Sequence, residues 1–169
     1  FISITYGAGG STRGPSLELA ARLAREGGPP TAMHLTCAGT RRQDIQSIAR
    51  QAWDSGVRHL VALRGDPPKN AVSAPVPVAE TYAYASDLVP ALRAIAPFEI
   101  SVAAYPESHP QALSPEADLD NLKRKADAGA HRILTQFFFD NHDFLRFRDR
   151  AVKAGIHLPM AAGMLPVYN

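Results

Sequence analysis

The feature that most constrains this chain is a βα repeat of nearly fixed length. With strand-end residues as markers, Thr5 to His34 is 29 positions, His34 to Leu63 is 29, Ala104 to Thr135 is 31 and Thr135 to Met164 is 29. Only Leu63 to Ala104 is longer, at 41. The short β-rich runs fall at 2–6, 31–36, 59–63, 98–104, 132–138 and 159–165. Most are continuous apolar stretches, the pattern of parallel strands covered on both faces. Units of this size predict either a doubly wound sheet or a (β/α)8 TIM barrel. Six of them make up most of a barrel that lacks a first and a last strand.

Between the runs lie helical patterns. Residues 16–25 carry Leu17, Ala20, Ala21 and Leu23 on one face, and residues 43–54 carry Ile45, Ile48, Ala49 and Ala52. Residues 85–95 carry Leu88, Val89 and Leu92, with Pro90 tolerated only near the first turn, where its missing N–H costs nothing. Residues 115–128 begin with Ser114 as N-cap and Pro115 at the first helical position. Residues 141–154 end before Gly155, a glycine stop. The excess length of the third unit sits in 67–83, rich in Pro, Ala and Val, and reads as a mobile loop after a strand.

Composition narrows the function classes. A net charge of +2 with scattered Lys and Arg excludes nucleic acid and anionic membrane surfaces as the expected partners. No apolar run reaches the roughly 18 residues of a membrane span. The single cysteine, Cys37, has no partner for an internal disulfide, so a reducing, cytoplasmic location is the expectation. It also lacks a companion at metal-ligand spacing, and no metal site is expected.

Chemistry-bearing residues gather at strand ends. The loop beginning Tyr6-Gly-Ala-Gly-Gly misses the dinucleotide fingerprint at Thr12, and Gly14-Pro15 breaks the P-loop pattern. It reads as a plain βα loop. His34, at a strand end, is either a structural histidine or a site residue, and lone strand histidines are more often the former. Asp66, in Leu63-Arg-Gly-Asp-Pro-Pro, is either half of a salt-bridged loop pair with Arg64 or a functional carboxylate at the sheet mouth. Gly65 would let a ligand approach the backbone. Tyr105 and His109, on a proline-stiffened loop, suit a stacked or hydrogen-bonded heterocycle, with a structural tyrosine as the alternative. Asp118, Asn121 and Lys125 share one helix face, flanked by Arg124. That face could hold ribose hydroxyls and a diphosphate, or be a solvated, salt-bridged surface. Gln136 is read as a buried strand-end amide suited to an amide or pterin-like ring, beside three phenylalanines attributed mainly to core packing.

Several stretches together resemble bacterial methylenetetrahydrofolate reductases. They are Val61-Ala-Leu-Arg-Gly-Asp, Ser101-Val-Ala-Ala-Tyr-Pro-Glu-Ser-His-Pro, Asp118-Leu-Asp-Asn-Leu-Lys-Arg-Lys, Thr135-Gln-Phe-Phe-Phe-Asp and Phe144-Leu-Arg-Phe-Arg-Asp-Arg. Ser3-Ile-Thr-Tyr-Gly, His34-Leu-Thr-Cys, Tyr84-Ala-Ser-Asp-Leu and Gly163-Met-Leu-Pro-Val follow the same order and spacing. The resemblance implies a (β/α)8 barrel, residues 1–169 being one partial domain of it, with FAD at the C-terminal strand ends. NADH or NADPH would reduce the flavin, and methylenetetrahydrofolate would then receive hydride to give 5-methyltetrahydrofolate. It implies FAD contacts by Thr5, His34, Arg64, Gly65, Asp66, Tyr84, Ala85, Tyr105, His109, Asp118, Asn121, Arg124 and Lys125, with Ala112 along the same loop. Gln136 would bind the pterin and help place the nicotinamide. Asp66 would stabilise the cationic iminium form of the folate. A homo-oligomer is expected of the full-length protein.

The chain departs from the family pattern in one respect. The family's general acid, a glutamate in a Glu-Phe-Phe-Pro-Pro type motif, has no counterpart here, and neither Glu80 nor Glu107 replaces it by position. The last strand and the arginine expected to meet the folate tail are also missing. A longer native protein is therefore expected, the 169 residues alone being inactive and open to aggregation at unclosed sheet edges. Two further readings stay open: a flavin- or deazaflavin-binding barrel with another acceptor, and a non-catalytic nucleotide-binding homologue or fragment.

Overall fold

A computed structural model of the chain describes residues 1–5, 13–66 and 76–166. The strands are β1 (Ile2–Ile4), β2 (Thr31–Thr36), β3 (His59–Leu63), β4 (Glu99–Ala104), β5 (Arg132–Phe137) and β6 (Met160–Gly163). The helices are α1 (Arg13–Arg25), α2 (Arg42–Asp54), α3 (Ala85–Arg93), α4 (Pro115–Asp127) and α5 (Asn141–Lys153). All six strands are parallel and their spatial order is their chain order. A doubly wound sheet reverses its order at a switch point. A monotonic order with a helix after each of the first five strands is that of a partial (β/α)8 barrel.

The chain divides into two compact units, Phe1–Ile100 and Ser101–Asn169. In the first, β1 pairs with β2 (Ile2 with Thr31) and β2 with β3 (His34 with Val61). Met33, Leu35, Leu60, Leu88, Leu92, Phe98 and Ile100 are fully buried. Burying each large side chain contributes about 1.5–3 kcal/mol. α2 buries Ile45, Ala49 and Ala52, four and three residues apart, as a helical stripe requires. The Trp53 ring meets Phe98 edge-on at 5.1 Å, and the Arg58 guanidinium covers Trp53 at 3.9 Å. In the second unit, β4 pairs with β5 (Val102 with Ile133) and β5 with β6 (Ile133 with Met160). Its core holds Val102, Ile133, Leu122, Phe147, Ala151 and Ile156.

The helices begin and end close to where their sequence signals put them. Ser114 Oγ accepts from Ala117 N–H at 3.1 Å with Pro115 behind it, and Gly155 follows α5 at a φ of 78°. α1 starts at Arg13 rather than residue 16. Its early Pro15 is harmless, because first-turn N–H groups have no intrahelical partner.

Three expectations fail. Pro90 lies well inside α3, as its sixth residue; it is exposed, so its ring faces away from the core. β1 and β6 are not covered on both faces: Ile2 is 45% exposed and Ala161 and Ala162 are exposed, because these are the outer strands of the order. Phe137, Phe138 and Phe139 are not core residues either. Phe137 and Phe139 are exposed and meet each other edge-on at 5.7 Å, and Phe138 stacks on Phe144 at 5.1 Å. The glycine-rich stretch at 6–12 and the first half of the long loop, 67–75, lie outside the described residues.

Candidate active site

In the first unit, the ends of β2 and β3 are joined by main-chain bonds. The Arg64 carbonyl accepts from Cys37 N–H at 3.1 Å and Ala38 N–H at 2.8 Å, with the Cys37 thiol 3.7 Å away. Burial pushes the Cys37 thiol up to about 11, which keeps it protonated and poor as a nucleophile. Gly65 follows with a φ of 77°, and a Cβ there would stand 2.8 Å from Thr36 Cβ. The glycine is thus required by the neighbouring strand end as well as by its own backbone. Asp66 comes next and is exposed. Among the described residues it takes part in no ion pair, so the salt-bridged alternative with Arg64 is not formed. His34 is half-buried in β2, and that burial lowers its pKa and keeps the ring neutral near pH 7. Thr5 is exposed just past β1, and its carbonyl accepts from Ser16 Oγ at 3.0 Å.

The second half of the long loop is pinned, against the expectation of mobility. Arg41 bridges to Thr81, the Arg41 guanidinium meets Glu80 at 3.4 Å, and Arg42 Nε donates to the Thr81 carbonyl at 2.8 Å. Gln46 Nε2 donates to the Tyr82 hydroxyl at 3.2 Å. This delivers Tyr84, 57% exposed, and buried Ala85 to the start of α3, where Asp87 accepts from Tyr84 N–H at 3.0 Å. Glu80 is held by Arg41 on this strap.

In the second unit, side chains hold the loop after β4. The Tyr105 and His109 rings meet edge-on at 4.6 Å. His109 Nδ1 accepts from Gln111 N–H at 3.0 Å, which leaves Nε2 as the ring's donor position. Asp118 Oδ2 accepts from His109 N–H at 2.9 Å. This bond fixes the loop where Ser108 takes a left-handed φ of 88°, a conformation costing about 1–2 kcal/mol for a residue with a Cβ. Ala112 N–H closes a turn onto the His109 carbonyl at 2.9 Å. Lys125 Nζ donates to the Ala103 carbonyl at 2.5 Å. Burial brings the Lys125 ammonium down to about 8, against the opposing pull of Asp118. Arg124 is exposed and donates to Asn121. The α4 face is therefore neither free nor merely solvated: Asp118 and Lys125 hold β4 and its loop, and Arg124 remains exposed to solvent.

Gln136 departs from expectation in being exposed, not buried. It lies where the β5–β6 register shifts, between Leu134–Ala161 and Phe137–Gly163. Its exposure follows strand alternation, since Ile133 and Thr135 are the buried residues of β5. Among the described residues, no cluster of three or more His, Cys, Asp or Glu side chains could hold a metal ion, and no helix is long and apolar enough to cross a membrane.

Residues 1–169, the whole chain, match the family described as methylenetetrahydrofolate reductase. The chain belongs to that family. It is 48% identical over 169 residues to the 5,10-methylenetetrahydrofolate reductase of Salmonella typhimurium, covering 100% of this chain and 55% of that protein. The Escherichia coli protein of the same description matches at the same identity and coverage. The chain thus spans about half the length of these relatives. Among solved structures, an oxaloacetate acetylhydrolase in complex with oxalate superimposes with a TM-score of 0.62 at 18% identity, over 100% of this chain and 63% of that one. That likeness concerns the fold alone. Family membership bears on both groups of strand-end residues, since every stretch quoted for the resemblance lies within the matched region.

Proposed function

We propose that the protein reduces 5,10-methylenetetrahydrofolate to 5-methyltetrahydrofolate, with NADH or NADPH as electron donor and FAD as bound cofactor. The observation that carries the reading is Asp66: an exposed carboxylate at a parallel strand's C-terminal end, just after a main-chain carbonyl held by the Cys37 and Ala38 amides, within a family-matched chain. Barrel enzymes form their sites at such strand ends.

The donor set fits a flavin dinucleotide. Arg124 and Lys125 supply two cations suited to a diphosphate, Asp118 and Asn121 supply acceptors for ribityl or ribose hydroxyls, and Tyr105 and His109 supply aromatic surface. Thr5, His34, Arg64, Gly65, Tyr84, Ala85 and Ala112 complete the proposed contacts. FAD, when bound, supplies the hydride relay between nicotinamide and folate. Asp66 provides a fixed negative charge for the cationic iminium form of the substrate, which accepts hydride more readily than the neutral form. Asp66 is not given the role of general acid. Gln136, with an amide that both donates and accepts, meets the pterin ring. We further propose that the protein acts in the cytoplasm as a homo-oligomer.

The test is spectroscopic. Full-length protein is expected to purify with a flavin absorbance that bleaches with NADH or NADPH and returns on addition of methylenetetrahydrofolate. Colourless protein that ignores added FAD would overturn the reading. A flavin that bleaches but is not reoxidised by the folate would point to another acceptor.

A further inference from the structure

The irregularity at the end of β5 has a specific construction. From the Leu134–Ala161 pair to the Phe137–Gly163 pair, β5 advances three residues while β6 advances two. One extra residue is thereby inserted at Thr135-Gln136, and such bulges re-aim side chains at strand ends. Gly163 N–H donates to Thr135 Oγ1 at 2.9 Å, so a hydroxyl serves as acceptor where a regular ladder would use a main-chain carbonyl. A Cβ on Gly163 would stand 2.3 Å from the Thr135 carbonyl oxygen, 2.9 Å from Phe137 N and 3.0 Å from the Gln136 carbonyl carbon. All three are main-chain atoms flanking or belonging to Gln136, so no side-chain rotation relieves the clash. Gly163 is not among the glycines with positive φ. It is needed for space, not for conformation.

We propose that Gly163 and Thr135 are positioning residues for substrate recognition: they hold the bulge that aims the exposed Gln136 amide at the pterin ring. The inference rests on the reading of Gln136 as a folate contact. Thr135 is buried, with its hydroxyl engaged by β6, so neither partner is asked to touch the substrate.

The test compares Gly163→Ala, Thr135→Val, Thr135→Ser and Gln136→Ala in the full-length, FAD-loaded protein. Gly163→Ala is expected to raise KM for methylenetetrahydrofolate about tenfold while flavin content stays at the wild-type level. Thr135→Val, which keeps volume but removes the acceptor, is expected to raise it in the same direction. Thr135→Ser, which keeps the hydroxyl, is expected to stay close to wild type. A purely structural role would lower flavin content and thermal stability without this selective rise in KM, and would overturn the proposal. If Gly163→Ala does not fold, the Thr135→Val and Thr135→Ser pair decides: equal KM values for the two overturn it. Gln136→Ala separates the two levels. If it raises KM while Gly163→Ala and Thr135→Val do not, the positioning role alone is wrong. If it leaves KM unchanged, the folate contact fails and the positioning role fails with it.

Discussion

At the end of β3 the chain is held by main-chain bonds, whereas at the end of β4 it is held by side chains. The Arg64 carbonyl gathers the amides of Cys37 and Ala38, and Gly65 lies against Thr36; Asp66 contributes nothing to this and is left exposed. After β4, Asp118 grips the His109 amide and Lys125 grips the Ala103 carbonyl, so residues suited to a ligand also hold the structure. If Asp66 and the α4 residues carry the proposed roles, the difference separates function from stability in the first region and couples them in the second. Substitutions should report this directly.

The largest effect is expected at Asp66. Asp66→Ala should slow reoxidation of reduced flavin by methylenetetrahydrofolate by about 100- to 1,000-fold, the usual loss when one electrostatic stabiliser is removed. Stability should change by less than about 0.5 kcal/mol, because the side chain is exposed and, among the described residues, takes part in no ion pair. Stopped-flow absorbance and a denaturant titration measure the two. A normal reoxidation rate would remove Asp66 from the chemistry. A large stability loss would break the contrast between the two regions.

Next in size is Gly65→Ala. The new Cβ would meet Thr36 Cβ at 2.8 Å on a backbone with a φ of 77°. A loss of about 2–4 kcal/mol is expected from the conformational and steric costs together. Measured against Thr36→Gly alone, which removes that Cβ, adding Gly65→Ala should recover the steric share and leave the conformational one. Full recovery in the double variant would mean that φ contributes nothing.

These residues also show what was legible in the sequence. All six strands, including β1 and β6, which are not covered on both faces, were identified by the nearly constant spacing and the apolar runs. They left two topologies open, since periodicity carries no strand order. Gly65 was noticeable as a glycine before an aspartate, but its reason, Thr36 on the preceding strand, is a contact between residues 29 positions apart. The shared face of Asp118, Asn121 and Lys125 followed from helical spacing. That two of the three would bind main chain could not, because the Ala103 carbonyl and the His109 amide are invisible to side-chain pattern. Gln136 was read as buried, although alternation from buried Ile133 and Thr135 places it on the exposed side. The start of α3 at Ala85 was legible from its apolar positions, but not that the helix would run on through Pro90.

A smaller effect is expected at Lys125, in the coupled region. Its ammonium, brought down to about 8 by burial, is charged below that pH and neutral above it. If it binds the diphosphate, only the charged form does so well, and FAD affinity is present below pH 8 and lost as pH rises through it. Between pH 7 and 9 the loss should approach about tenfold, as the protonated fraction falls. Lys125→Met should weaken FAD at pH 7 and flatten the profile between pH 7 and 9. An unchanged wild-type slope in the Lys125→Met protein would assign the pH dependence to another group.

The smallest and most specific effect concerns Asp118. Its carboxylate raises the Lys125 pKa against the lowering by burial. Asp118→Asn keeps an oxygen for the His109 amide and removes only the charge, so the loop should stay in place at a cost of about 1 kcal/mol or less. Without that charge the Lys125 pKa falls further below its ordinary value. The midpoint of the FAD affinity profile should then move to lower pH, and affinity at pH 7.5 should drop by a few-fold while affinity at pH 6 is nearly kept. Fluorescence titrations of FAD into apoprotein at several pH values measure the midpoint. A uniform loss at every pH would mean that Asp118 acts through the loop or by its own contact with the ligand. A shifted midpoint would mean that the same carboxylate that holds His109 also sets the charge on Lys125, which is the coupling that the β3 strand end avoids by leaving its structural work to the main chain.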